Sequence, residues 1–159
     1  MSRYNSIVPV PLGEIRRLDG KLGASTLPGQ LVTAVDLFAA GSSKHAQSDG
    51  AAFTLNTANN RNGVLIVMEQ EELVLQPTST AFASGTHVRA HVLKQGEEAT
   101  VILAAAAAIT SGTLLGPAAN GKVEVADGTT GAPDPMFSAI ETASTASTGD
   151  DLRILARVL

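Results

Sequence analysis

Residues 86–159 read THVRAHVLKQGEEATVILAAAAAITSGTLLGPAANGKVEVADGTTGAPDPMFSAIETASTASTGDDLRILARVL, and this stretch decides the fold. Short runs of aliphatic and β-branched residues alternate in it with small-residue turns. Gln95-Gly96, Ser111-Gly112, Asn120-Gly121, Asp127-Gly128 and Thr148-Gly149-Asp150 punctuate the runs. Closely spaced strand patterns broken by such pairs indicate an all-β unit, because glycine supplies the positive φ that tight turns demand. Residues 86–94 alternate cleanly, with Val88, Ala90 and Val92 on one face and His87, Arg89 and His91 on the other. The closing run repeats the pattern, setting Leu152, Ile154, Ala156 and Val158 against Arg153 and Arg157. Between Asn120-Gly121 and Asp127-Gly128 lies a short strand, Lys122-Val123-Glu124-Val125. The expected architecture is a compact β-barrel or β-sandwich of short antiparallel strands.

Upstream, Leu27-Pro28-Gly29 marks the start of the β domain, expected over residues 27–159. Residues 31–35 read as a strand, residues 41–50 as a polar connection and residues 59–63 as a turn. Residues 64–68 (VLIVM) form a continuous apolar run that fits a strand buried on both faces. One segment is ambiguous. The five alanines from Ala104 to Ala108 have high helix propensity but are too few to nucleate a helix alone, so a strand running into a small-residue crossing is expected, with a single helical turn as the alternative.

Residues 1–26 differ in character. Pro9 and Pro11 enforce extended backbone, and Gly13, Gly20 and Gly23 interrupt any helix, although Ile15 and Leu18 are spaced for one helical turn over residues 14–18. This reads as an extended N-terminal arm whose apolar residues, Tyr4, Ile7, Val8, Val10, Leu12, Ile15 and Leu18, are candidate contacts to another subunit or a partner surface. The other placement folds the arm back on its own domain. Under the first placement, removing residues 1–20 leaves the β domain folded.

A chain of 159 residues is the size of one domain and is expected to bury a single core. Hydrophobic residues make up 44%, yet aromatics only 3%, so Val, Leu, Ile and Ala must fill that core. Scarce aromatics argue against a stacking platform for single-stranded nucleic acid or sugars. The formal net charge of -4 argues against a duplex-binding surface. Cysteine is absent, which excludes disulfides and thiolate-ligated zinc. No segment has the apolar length of a signal peptide or membrane span, so a soluble chain made in the cytoplasm is expected.

Candidate chemistry is thin. His87 and His91 would share a helix face, but a four-residue step along a strand is about 13 Å, too far for one ion. His45 stands alone in a polar segment. Glu69, Glu71 and Glu72, with Glu97 and Glu98, are expected to form a solvated rim, and Asp150-Asp151 a loop. No serine occupies a nucleophile elbow, and no glycine pattern cradles phosphate. No catalytic, cofactor-binding or metal-binding residues are expected, and the chain is expected not to be an enzyme. A hydrolase built on the carboxylates at 69–72 is the weakest alternative.

The order of motifs carries a resemblance. LPGQLV, SSKHAQ, GVLIVMEQEEL, SGTHVRAHVLKQGEEATVILA, SGTLLGPAANGKVEVA, PMFSAIETAS and the closing LRILARVL together resemble the capsid cement proteins of tailed bacteriophages, also called head decoration or capsid-stabilising proteins. The resemblance spans residues 27–159, and each motif alone is weak. The Ala104–Ala108 run is more uniformly alanine than that family's pattern. What the resemblance implies is a homotrimeric virion structural protein on the outer capsid surface, binding the major capsid protein and clamping neighbouring capsomers, with no cofactor and neither nucleic acid nor membrane as partner. From another class, a ligand- or glycan-binding β module on the virion surface remains open.

Overall fold

The computed structural model describes residues 17–35, 51–56, 66–68, 80–104, 108–144 and 152–159. Twelve strands follow in order: β1 Arg17–Leu22, β2 Leu31–Val35, β3 Ala51–Leu55, β4 Ile66–Met68, β5 His87–Val92, β6 Glu98–Leu103, β7 Ala108–Ile109, β8 Leu114–Pro117, β9 Val123–Val125, β10 Phe137–Ala139, β11 Ala143–Ser144 and β12 Leu152–Val158. A 3-10 turn, Ala119–Gly121, lies between β8 and β9. The fold is all-β, as expected.

The strands form two closed barrels, not one. The first runs β1-β3-β2-β4-β5 and closes where β5 pairs with β1. The second runs β10-β12-β6-β9-β8 and closes where β8 pairs with β10. Within each ring four of the contacts are antiparallel and one is parallel: β1 with β3, and β6 with β9. Each ring buries its own cluster. Leu22, Val32, Phe53, Phe82, Val88 and Ala90 fill the first, while Val101, Leu103, Leu115, Val123, Phe137, Ile154 and Val158 belong to the second. The expectation of a single core is therefore corrected: short strands curled tightly enough to close on themselves leave room for two small interiors.

The two barrels repeat one topology in one register. Taken in chain order, the strands of the first correspond to β6, β8, β9, β10 and β12 of the second, and every pairing is reproduced. Leu22 opposite Phe53 matches Leu103 opposite Val123. Val32 opposite both Leu55 and Ile66 matches Leu115 opposite both Val125 and Phe137. Ile66 opposite Val92 matches Phe137 opposite Val158. Bonds outside the ladders match too: Gly23 N–H to Phe53 C=O (2.8 Å) with Ala104 N–H to Val123 C=O (2.7 Å), and Asn56 N–H to Leu31 C=O (3.0 Å) with Ala126 N–H to Leu114 C=O (2.9 Å). Ahead of β2, Leu27-Pro28-Gly29-Gln30 makes a turn with Gly29 at φ 91 and a 3.1 Å bond from Gln30 N–H to Leu27 C=O. Proline at the second position and a positive-φ glycine at the third mark the type II pattern. Thr110-Ser111-Gly112-Thr113 repeats it ahead of β8, with Gly112 at φ 90.

Strand β1 corrects two expectations. Residues 17 and 18 are extended, not helical, and residues 17–22 complete the first barrel, pairing with β3 and β5. The domain therefore reaches back to residue 17, and removing residues 1–20 would take out most of a barrel strand. The rest of the helical-turn reading, and residues 1–16 of the arm, lie outside the described residues. In the alanine run, β6 ends at Leu103 and β7 begins at Ala108; residues 105–107 lie outside the described residues.

Residues 93–97 join the barrels. Leu93 leaves the first barrel and is buried in the second barrel's cluster, as is Leu31 from the outer face of β2. Glu97, expected on a solvated rim, is instead fully buried (0%). Its Oε2 accepts a 2.8 Å bond from Lys94 N–H and lies 3.3 Å from Nε2 of buried His91. A carboxylate in an apolar junction is stable only when its oxygens are matched in this way. Across the same junction Gln30 Nε2 donates to Asn120 C=O (2.7 Å), Gly121 N–H donates to Asn56 C=O (2.9 Å), and the Arg153 guanidinium donates to Pro28 C=O (3.3 Å).

Two substitutions test this junction by urea denaturation. Glu97→Ala is expected to cost about 3 kcal/mol, because it removes the acceptor of the Lys94 amide and leaves buried His91 beside a void. Glu97→Gln, which keeps an accepting oxygen, should cost distinctly less. Gly121 has φ 68, and a Cβ there would lie 2.5 Å from the Leu31 carbonyl oxygen. Gly121→Ala should therefore destabilise more than Gly112→Ala, where φ is equally unfavourable at 90 but nothing lies within 4 Å. The open site should lose only the left-handed backbone penalty of about 1–2 kcal/mol.

Candidate interaction surfaces

The described surface holds no group of three or more His, Asp or Glu side chains placed to share a metal ion. On β5, His87 is exposed and His91 is buried, although alternation puts both on the outer face. The linker turn covers that face only at the His91 end, where Glu97 meets the ring. Both histidines are on a strand, as expected, and His91 has a structural role. His45 and the carboxylates at 69, 71, 72, 150 and 151 lie outside the described residues.

Other polar contacts are local. Glu98 Oε1 takes a 2.8 Å bond from the exposed Arg157 guanidinium, across the β6–β12 ladder. Glu141 Oε1 accepts from Leu155 N–H at 2.8 Å, which ties the strand end near residue 140 to β12. Asp127 Oδ1 accepts from the Thr129 hydroxyl (2.7 Å) and the Thr129 N–H (3.0 Å), and these bonds hold its carboxyl below the usual aspartate value. Each of these carboxylates fastens backbone or a cross-strand partner.

Aromatic residues are equally committed. Phe53, Phe82 and Phe137 are buried, so none can stack on a sugar or base. Phe38 and Tyr4 lie outside the described residues. Of the arm residues expected to make contacts, Leu18 is placed in β1 opposite Ala90, within the first barrel. Tyr4, Ile7, Val8, Val10, Leu12 and Ile15 lie outside the described residues.

What the surface does offer is apolar. Leu114 (42%) and Leu159 (48%) are the large hydrophobic side chains left exposed among the described residues. Both belong to the second barrel. Leu114 stands on the outer side of β8, next to inward-facing Leu115, and Leu159 directly follows inward-facing Val158. Sequence reasoning missed both, since a leucine within an apolar run reads as core. The signal that identifies them is the repeat. VRAHVL at residues 88–93 and ILARVL at residues 154–159 are equivalent segments, and the fate of their last leucines differs.

No protein-family model matches the chain, and no curated protein matches it. Among solved structures it is similar to the N-terminal base of the head fiber protein gp8.5 of bacteriophage phi29, with a TM-score of 0.57 and 11% sequence identity. The match covers 92% of this chain and 95% of that one. At that identity the two share a fold, and they share it over nearly their whole lengths.

Proposed function

We propose that this chain is a structural protein of a tailed-phage virion that attaches to the outer surface of the head, in the manner of a cement or decoration protein. The observation that carries the reading is the fold it shares, end to end, with the base of a phage head fiber. The cement-protein resemblance of residues 27–159 points the same way from different residues. In this reading the protein binds the major capsid protein, acts as a homotrimer, and stabilises contacts between capsomers. It carries out no catalysis and uses no cofactor.

The physical properties suit that task. A closed barrel resists local opening because every strand is hydrogen-bonded to two neighbours, which leaves few edges for unwanted pairing. Several weak contacts presented together by an oligomer give tight attachment through avidity. The segment before β1, which carries Pro9 and Pro11, would in this reading pair by main chain with a partner sheet.

Purified protein mixed with expanded shells lacking it should co-sediment with them and saturate at a fixed copy number. It should also raise the temperature at which those shells release DNA. Failure to co-sediment at micromolar concentration would sink the reading. Deleting residues 1–16, which spares β1, should leave the melting temperature within a few degrees of the full chain while weakening shell binding by about tenfold or more. A melting transition lost on this deletion would place residues 1–16 in the fold instead.

A further inference from the structure

The internal repeat allows each surface residue of one barrel to be compared with its counterpart in the other. Leu31 in β2 corresponds to Leu114 in β8, because their neighbours Val32 and Leu115 hold the same register positions. Leu93 corresponds to Leu159, because Val92 and Val158 pair with Ile66 and Phe137 respectively. In the first barrel these two leucines are 1% and 7% exposed, both buried in the second barrel's cluster. In the second barrel their counterparts are 42% and 48% exposed. The face that docks the first barrel onto the second is thus present again on the second barrel, uncovered.

We propose that this face, built around Leu114 and Leu159, receives the first barrel of another copy of the same chain. The contact repeats the direction of the junction within the chain. A barrel's Leu31-type face meets the opposite side of the next barrel, so the interface is head-to-tail rather than two-fold. Such heterologous contacts build rings when the rotation closes. A closed ring of copies then alternates first and second barrels, each meeting its neighbour in a similar way.

The polar contacts of the internal junction identify which residues come together. Within the chain, Arg153 donates to the carbonyl of Pro28. Pro28 corresponds to Ser111, by the matched turns ahead of β2 and β8. Arg153 precedes Ile154 as His87 precedes Val88, and Ile154 and Val88 pair with the equivalent residues Val101 and Gly20. His87 is exposed and carries a ring N–H that can donate. Between copies, therefore, His87 of one chain lies against the turn at Ser111 of the next. The second-barrel turn has also kept only half of the earlier chemistry. Gln30 both accepts from Leu27 N–H and reaches across the junction, whereas Thr113 accepts from Thr110 N–H at 3.0 Å and is too short to reach further. The contact between copies is accordingly more apolar and weaker than the one within a chain.

This inference rests on the homotrimer of the proposed function and names the faces that build it. Shell binding by a strictly monomeric protein would remove the homotrimer and this interface and leave only the shell attachment; a soluble oligomer without shell affinity would remove the attachment and leave the interface. The decisive measurement is light scattering of the full chain across concentration, with Leu114→Asp and Leu159→Asp beside it. The wild type should form an oligomer, and each substitution should raise the concentration for half-assembly by about tenfold or more without lowering the melting temperature. A wild type that stays monomeric, or substitutions that leave assembly unchanged, would overturn the proposal. Because the chain has no cysteine, direction can be read separately. A short bismaleimide should couple a mixture of Ser111→Cys and His87→Cys chains far more than either alone. Equal coupling of either variant with itself would mean a two-fold interface and would also overturn it.

Discussion

Leu31 and Leu93 cross from the first barrel into the second barrel's interior, and the rest of the molecule is arranged around that crossing. A closed ring of five short strands has a small interior, and a chain segment of some seventy residues buries too little apolar surface to be robust alone. The second barrel's cluster gains two leucines from its neighbour. The linker between β5 and β6 can therefore be short, with its two ends, Leu93 and Glu97, buried and Gln95 at its tip exposed. Glu97 then becomes necessary: a tight turn pressed between barrels leaves the Lys94 N–H and the His91 ring without water, and a carboxylate satisfies both.

Much of the fold was legible from residue pattern alone. Residues 87–92 and 152–158 are strands because β-branched and aliphatic residues alternate there with polar ones, residues 31–35 (LVTAV) form a strand as an almost wholly apolar run, and the glycines at 96, 112 and 128 all adopt positive φ where turns were expected. The repeat was not legible, for a physical reason. Connections between equivalent strands differ in length, so the spacing of equivalent residues shrinks from 81 (Leu22 to Leu103) to 66 (Val92 to Val158). No fixed period survives such drift, and only VRAHVL and ILARVL retain a visible likeness. Closure needs register rather than residue identity, so the pairing pattern outlasts the sequence.

Strand β1 and Glu97 were misread for a common cause: each depends on partners distant from its local sequence. RLDGKL has three charged residues and a glycine in six positions, a poor strand by propensity. It becomes a strand because β3 and β5 present edges on both sides that must be filled to close the ring. A glutamate beside Gln95-Gly96 reads as solvated until His91 is seen to lie against it. Tertiary context overrides propensity most strongly where a ring closes or where two units meet, and both errors fall at such places.

Closure also constrains how copies of this protein can meet. Where each strand of a ring already has a hydrogen-bonded neighbour on both sides, main-chain strand addition to the barrels has little to add to, and barrels associate through side-chain faces. The faces available are unequal, because fusing two copies of one barrel buries the docking face of the first and leaves that of the second open. A lone barrel would present the same face in every copy. The fused chain has one used and one unused face, which gives it a polarity no single barrel has. In the proposed assembly, each added copy is guided by the geometry already present within the chain.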